Sequence, residues 1–242
     1  MKYIVVIPAR YKSSRLQGKP LINLDGIPMI IRTYRQCLKV FPSSLIFIAT
    51  DDHRIRKVCI KAKAKVVMTS PNCLTGTDRV AEVAKKIKAK YYINIQGDEP
   101  IFEPKDLRKL LRQVKKNTND ILLGYCKLRK KKDIYSKNVP KIVFDKNEYL
   151  IYASRSAIPN VNKINESKYY KGIWGYAIPR NKLLRFAKEK QKTPLEKSED
   201  IEILRFIELG FKIKMVSMTD HSKPVDVKSD IKEVLKKIKN IR

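Results

Sequence analysis

IPARYKSSRLQGKPL, residues 7–21, joins the end of a short apolar strand to a loop that carries four cations. Residues 2–7 (KYIVVI) are β-branched and aromatic and run into Pro8, the pattern of a buried strand closed by a turn. Arg10, Lys12, Arg15 and Lys19 follow, with Gly18 just before the last, in a stretch too irregular for a helix. A loop at the carboxyl end of a first strand is where α/β sheets bind ligands, and cations beside exposed backbone N–H groups suit a polyphosphate. The segment reads as a loop for a nucleotide triphosphate, although a Lys-rich chain also places cations in ordinary surface loops. It holds neither GxxxxGK(S/T) nor GxGxxG, so the chemistry is that of neither a P-loop nor a dinucleotide fingerprint.

Outward from this loop the chain alternates strands and helices. Apolar Met29, Ile30, Tyr34, Cys37 and Leu38 recur at helical spacing over residues 28–40, after a turn at Asp25-Gly26. Residues 45–50 and 65–69 read as buried strands, and residues 78–87 as a helix entered through Thr75-Gly76-Thr77-Asp78. That entry exposes backbone groups to a ligand, or serves only as a helix cap. Asp51 and Asp52 read as caps of the intervening helix. Residues 91–95 form a fourth strand running into Gln96-Gly97-Asp98-Glu99-Pro100. A carboxylate just beyond a central strand, beside a glycine that permits close approach, is placed to hold Mg²⁺ against phosphate, or is simply a turn residue. Right-handed connections put the loops after strands one, three and four on one sheet edge. The fold class is α/β, a doubly wound, Rossmann-like and mostly parallel sheet.

After a helix at residues 105–116 the strands become closely spaced, at 121–128, 141–145 and 150–154, with Asp145-Lys146-Asn147-Glu148 as a hairpin turn. Residues 121–178 therefore read as an antiparallel excursion from one domain spanning residues 1–242. A single helix is expected over 195–209, a strand over 211–218 and a last helix over 229–238.

Composition narrows the class. A chain of 242 residues with 43% hydrophobic content folds around a sizeable core. The net charge of +30 invites a nucleic-acid reading, but 39 of the 54 cations are lysines spread along the chain, whereas base readers concentrate arginine on one element. A basic nucleic-acid binder stays as the distant alternative; the same field favours approach of anionic substrates. Cys37, Cys59, Cys73 and Cys126 show no CxxC spacing and read as small hydrophobes of a reducing compartment. The first residues are already strand-like, and no apolar run reaches the length of a membrane span, so a cytoplasmic protein without membrane contact is expected.

The opening loop resembles the signature IPARYxSTRLPGKPL of the 3-deoxy-manno-octulosonate (Kdo) cytidylyltransferase family, the CMP-Kdo synthetases. Further segments are similar in the same order: LTGTDR to SGT(D/E)R, NIQGDEP to NVQGDEP, KIVFD to VKVVxD, ASRSAIP to FSRxxIP and VDVKSDI to VDTPEDL. The resemblance implies transfer of CMP from CTP to a 2-keto sugar acid such as Kdo, with release of pyrophosphate, for lipopolysaccharide and envelope polysaccharide. It implies Mg²⁺ on Asp98 and Asp226, and charge stabilisation by Arg10, Arg15 and Lys19. Nucleotide contacts would come from Ala9, Arg10, Arg15, Lys19, Thr75, Gly76, Arg79, Gln96 and Gly97. Sugar contacts would come from Gln96, Arg155, Tyr176, Glu199 and Glu202, and a homodimer is implied. Three positions depart from the family pattern, Tyr170 for His, Ala177 for Arg and Ile203 for Gln, which makes an amino-Kdo or a nonulosonate the alternative acceptor.

Overall fold

The computed structural model describes residues 1–13, 16–116, 119–160 and 168–240; Arg15 lies outside them. In chain order the elements are β1 (Tyr3–Ala9), β2 (Asn23–Leu24), β3 (Ile27–Pro28), α1 (Met29–Leu38), β4 (Ile46–Thr50), α2 (His53–Lys61), β5 (Lys65–Met68), α3 (Gly76–Lys86), β6 (Tyr91–Ile95) and α4 (Pro104–Lys116). There follow β7 (Ile121–Lys127), α5 (Lys131–Tyr135), β8 (Lys141–Phe144), β9 (Leu150–Ser154), β10 (Tyr170–Pro179), α6 (Arg180–Phe186), α7 (Pro194–Glu199), α8 (Ile203–Glu208), β11 (Ile213–Ser217) and α9 (Lys228–Lys239).

The main sheet runs β11-β7-β10-β6-β1-β4-β5. Strand β1 pairs in parallel with β4 and β6, β4 with β5, and β7 with β11. Strand β10 alone on this path is antiparallel, bonded to β6 on one side and β7 on the other. The strands are apolar on both faces because helices cover both. Along β1, Val5 and Ile7 point into one core cluster with α1 and α4, while Ile4 and Val6 point into the other with α3, α6 and α8. All four are fully buried, and burial of each such side chain stabilises by about 1.5–3 kcal/mol.

Two features differ from the sequence reading. The segment 121–178 is not one excursion: β7 is a buried strand of the main sheet, and most of β10 lies within it. Only the β8–β9 hairpin, joined to the first residues of β10, leaves the main path. The helix expected over 195–209 is broken, with Asp200 in the left-handed region at φ 51° between α7 and α8. The cause is tertiary. Arg155 donates from Nε to the Glu199 carbonyl (2.7 Å) and from Nη2 to the Asp200 carbonyl (3.1 Å), taking acceptors that a continuing helix would use itself.

No helix among the described residues is long and apolar enough to cross a membrane. Cys37, Cys59 and Cys126 are buried free thiols, and burial pushes each up to about 12; Cys73, half-buried, is pushed up to about 11, chiefly for the same reason. Because the thiolate is the reactive species, iodoacetamide at pH 8 should label the native protein slowly and at Cys73 first. The other three should react only after denaturation. Mass spectrometry of the labelled protein checks this, and rapid native labelling of Cys37 would contradict the packing.

Candidate active site

The carboxyl ends of β1 and β6 and the loop entering α3 open on one side of the sheet, as the strand connections require. Two adjoining hollows lie there, of about 240 and 180 Å³. Arg10, Thr75, Gly76, Gln96, Asp98 and Asp226 border both and form their common wall. Ala9, Lys19, Arg79 and Gly97 border the smaller one only. Arg155, Trp174, Tyr176 and Glu202 border the larger.

At the common wall Lys19 holds two carboxylates from distant parts of the chain. Its Nζ lies 2.6 Å from Asp98 Oδ2 and 3.3 Å from Asp226 Oδ1. Gly18, at φ 67°, turns the basic loop so that Lys19 begins a short 3-10 turn over Lys19–Leu21. The Val225 N–H donates to the Asp98 carbonyl at 3.0 Å, fastening the segment before α9 to the loop after β6. Gly97 is needed at that junction, since a Cβ there would stand 2.6 Å from the Pro8 carbonyl oxygen. Burial by itself would lower the Lys19 pKa, but Asp98 and Asp226 outweigh it and hold the ammonium above its ordinary value. Glu99, buried beside them, is pushed well above the carboxylate range by burial and then by the charges of Asp98 and Asp226.

Two oxygen donors converging on one cation are a set that fits Mg²⁺, which is commonly held by one or two carboxylates and completes its octahedron with water and phosphate. Here the Lys19 ammonium marks the point of convergence. Among the described residues no group of three or more His, Cys, Asp or Glu is arranged to hold a metal, so the protein's contribution would be Asp98 and Asp226.

The loop before α3 is fixed from within. Thr75 caps the helix, and the Asp78 carboxylate accepts back from the Thr75 N–H at 2.9 Å, a closed capping box. Arg79 is buried at the back of the smaller hollow, bonded to Thr69 Oγ1, the Ser70 carbonyl and Asp51 Oδ2. Asp51 therefore orients Arg79, while Asp52 caps α2 as expected. Gln96 Nε2 donates to Glu202 Oε1 at 2.9 Å, and the other Glu202 oxygen accepts the Thr77 N–H at 3.1 Å. Burial raises the Glu202 carboxyl. It also raises the Tyr176 hydroxyl well above its usual value, with Glu202 next in effect.

On the larger hollow's far wall, Arg155 is present but Glu199 is not. Glu199 turns to β9, accepting from Ser154 Oγ (2.7 Å) and the Arg155 N–H (2.8 Å). It therefore positions Arg155 instead of facing the hollow. Nor do Tyr170, Ala177 and Ile203 border either hollow: Tyr170 packs on Tyr125 and Phe144, and Ala177 and Ile203 are buried in the core. The argument for a different sugar from these three positions loses its geometric basis. Trp174, Asn138 and Lys192, which line the larger hollow, went unread in the sequence. The pairing of β10 with β7 shifts register between Ile173 and Tyr176, around Trp174, and Gly175 within the shift is the local sequence mark that signals it.

A polyphosphate donor in one hollow and an acceptor in the other would meet at the common wall, beside Lys19 and its carboxylates, which is the working arrangement of a nucleotidyltransferase. Comparison with known proteins gives the particular kind. The cytidylyltransferase family profile matches residues 4–214. The 3-deoxy-manno-octulosonate cytidylyltransferase of Fusobacterium nucleatum is 40% identical, covering 99% of this chain and 98% of the relative. That of Geobacter metallireducens is 38% identical, covering 98% of each. The solved structure of CMP:2-keto-3-deoxy-manno-octonic acid synthetase complexed with CTP superposes with a TM-score of 0.92 at 30% identity over 100% of both chains. The chain belongs to the 3-deoxy-manno-octulosonate cytidylyltransferase family and is a nucleotidyltransferase. The non-catalytic nucleic-acid binder does not stand beside this membership.

Glu199→Ala should lower stability by about 1–3 kcal/mol, since it leaves the Ser154 hydroxyl and the Arg155 N–H without their acceptor. Urea denaturation measures this. An unchanged midpoint would show that Glu199 does not hold β9.

Proposed function

We propose that this enzyme transfers CMP from CTP to the anomeric hydroxyl of Kdo, releasing pyrophosphate, with Mg²⁺ as cofactor. The observation that carries the reading is the wall shared by two hollows, where a cation from the basic loop meets Asp98 and Asp226. The CTP bound in the similar solved structure supports the choice of donor. The family name carried by relatives over nearly the whole length supports the acceptor.

In this mechanism the smaller hollow takes the nucleotide and the larger takes the sugar acid. The attacking hydroxyl forms a bond to the α-phosphorus as the bond to the bridging oxygen of pyrophosphate breaks. Arg10 and Lys19, with Arg15 in the same loop, offset the negative charge that builds on the phosphoryl and leaving oxygens. Gly76 and Gly97 let their loops pack closely, since a Cβ would stand 2.9 Å from the Gln96 side chain and 2.6 Å from the Pro8 carbonyl oxygen; Ala9, Thr75 and Gln96 border the nucleotide space, and Arg79 closes it behind. Arg155 supplies a fixed cation for the sugar carboxylate, and Gln96, Tyr176 and Glu202 supply polar contacts for its hydroxyls. Asp98 and Asp226 would hold Mg²⁺, which would supply charge neutralisation and acidify the attacking hydroxyl. The protein's share is positioning and electrostatics, with no covalent nucleophile.

The same proposal makes residues 1–242 one cytoplasmic cytidylyltransferase domain, acting as a homodimer with residues 121–178 contributing sugar contacts and the dimer face, and feeding lipopolysaccharide synthesis. Pyrophosphate release with CTP, Mg²⁺ and Kdo tests it. Activity should be CTP-selective over ATP, GTP and UTP. It should fall on the order of a hundredfold or more in Asp98→Ala and in Asp226→Ala. Turnover of an amino-Kdo or a nonulosonate with Kdo ignored would keep the reaction and replace the acceptor. Full activity in both variants would remove the assigned site.

A further inference from the structure

Arg205 is the largest fully buried side chain of the described residues and borders neither hollow. Its guanidinium nevertheless makes four hydrogen bonds to two carboxylates. Nε and Nη2 donate to Glu196 at 2.6 and 2.7 Å, and Nη1 and Nη2 donate to Asp78 at 2.8 and 3.3 Å. Its flat face lies 3.8 Å from the centre of the Phe186 ring. Glu196 belongs to α7 and Asp78 to the first turn of α3, so one cation from α8 ties three helices together.

Asp78 is also the residue that closes the capping box on Thr75. The carboxylate gripped by Arg205 thus fixes the residue at the edge of both hollows, and Gly76 after it. Glu202, at the start of α8 and three residues before Arg205, accepts from the Thr77 N–H in the same turn of α3. Arg205 of α8 and Glu202, its N-cap, therefore both hold the Thr75–Asp78 turn, one by donating and one by accepting. A buried ion pair of this kind is weak evidence for stability as such, because desolvation offsets the attraction. What it does supply is a fixed geometry, since a planar guanidinium engages two carboxylates in set directions that an ammonium does not reproduce.

We infer that Arg205 is a positioning residue for nucleotide binding: through Asp78 it sets the Thr75–Gly76 turn that receives CTP, without touching the ligand. The inference rests on the assignment of the smaller hollow to CTP, and the test separates the two. CTP affinity is measured by calorimetry with Mg²⁺ and without sugar acid, at a temperature well below unfolding, for the wild type and for Arg205→Lys, Asp78→Asn and Phe186→Leu. Phe186→Leu is the control for loosened packing, as it disturbs the ring beneath the guanidinium and no hydrogen bond of the clamp.

Arg205→Lys and Asp78→Asn should each weaken CTP binding by about tenfold to a hundredfold, the scale of misplacing a binding element by about an ångström. Phe186→Leu should lower the Tm and leave CTP affinity within about twofold. If Arg205→Lys fails to fold, Asp78→Asn carries the test alone. Wild-type CTP binding with unchanged affinity in the clamp variants would overturn the inference and leave the proposed function standing. So would an equal loss in Phe186→Leu, which would reduce Arg205 to a packing role. A wild type that binds no CTP would remove both.

Discussion

The antiparallel insertion of β10 between β6 and β7 is the constraint on which the rest of this architecture depends. A nucleotide-binding half made of β1, β4, β5 and β6 would end at β6 with an unpaired edge. Strand β10 satisfies that edge and, through its other side, carries β7 and β11 into the same sheet. It also positions the larger hollow, because Trp174 and Tyr176 border it from a strand whose neighbour β6 runs into the loop carrying Gln96 and Asp98. The two hollows are thus joined by the backbone hydrogen bonds of β10 with β6 and β7.

The charge distribution follows a similar division. The chain has only 24 acidic residues against 54 lysines and arginines. Yet its buried charge is nearly even: Asp78, Glu99, Asp106 and Glu196 are buried with Arg79, Lys141 and Arg205, and Asp98, Asp226 and Glu202 border the hollows. The excess of positive charge is a property of the surface, where it draws anions toward a cleft whose wall supplies the acids. Read as a whole, +30 points to nucleic acid; read by position, it surrounds an acidic centre.

Much of the fold was legible because the central strands are buried on both faces and therefore read as short apolar runs, as residues 91–95 do with the same bounds in sequence and structure; residues 150–154, with Ile151 exposed, keep their bounds as well. What escaped was set at a distance. Nothing local breaks the helical periodicity at Asp200, which lacks a Gly or Pro beside it; the break follows from Arg155, 45 residues earlier. Lys19 and Asp98 stood out by their places in loops after strands, whereas Asp226 was singled out only through family resemblance, and as isolated residues the two aspartates are ordinary turn formers. Their convergence on one ammonium is a product of tertiary structure. Glu199 and Glu202 looked equivalent, three residues apart on one expected helix, but the break at Asp200 sends the first to β9 and the second to the cleft.

One side chain gives this cleft an optical property of its own. Trp174 is the sole tryptophan of the chain and stands on the wall of the larger hollow, with Gly172 leaving room for the indole. Excited at wavelengths that its tyrosines do not absorb, the protein therefore emits from a single position, on the wall of the larger hollow. An unlabelled sample carries a built-in fluorophore whose intensity and wavelength respond to what enters there, while changes elsewhere on the lysine-rich surface remain dark.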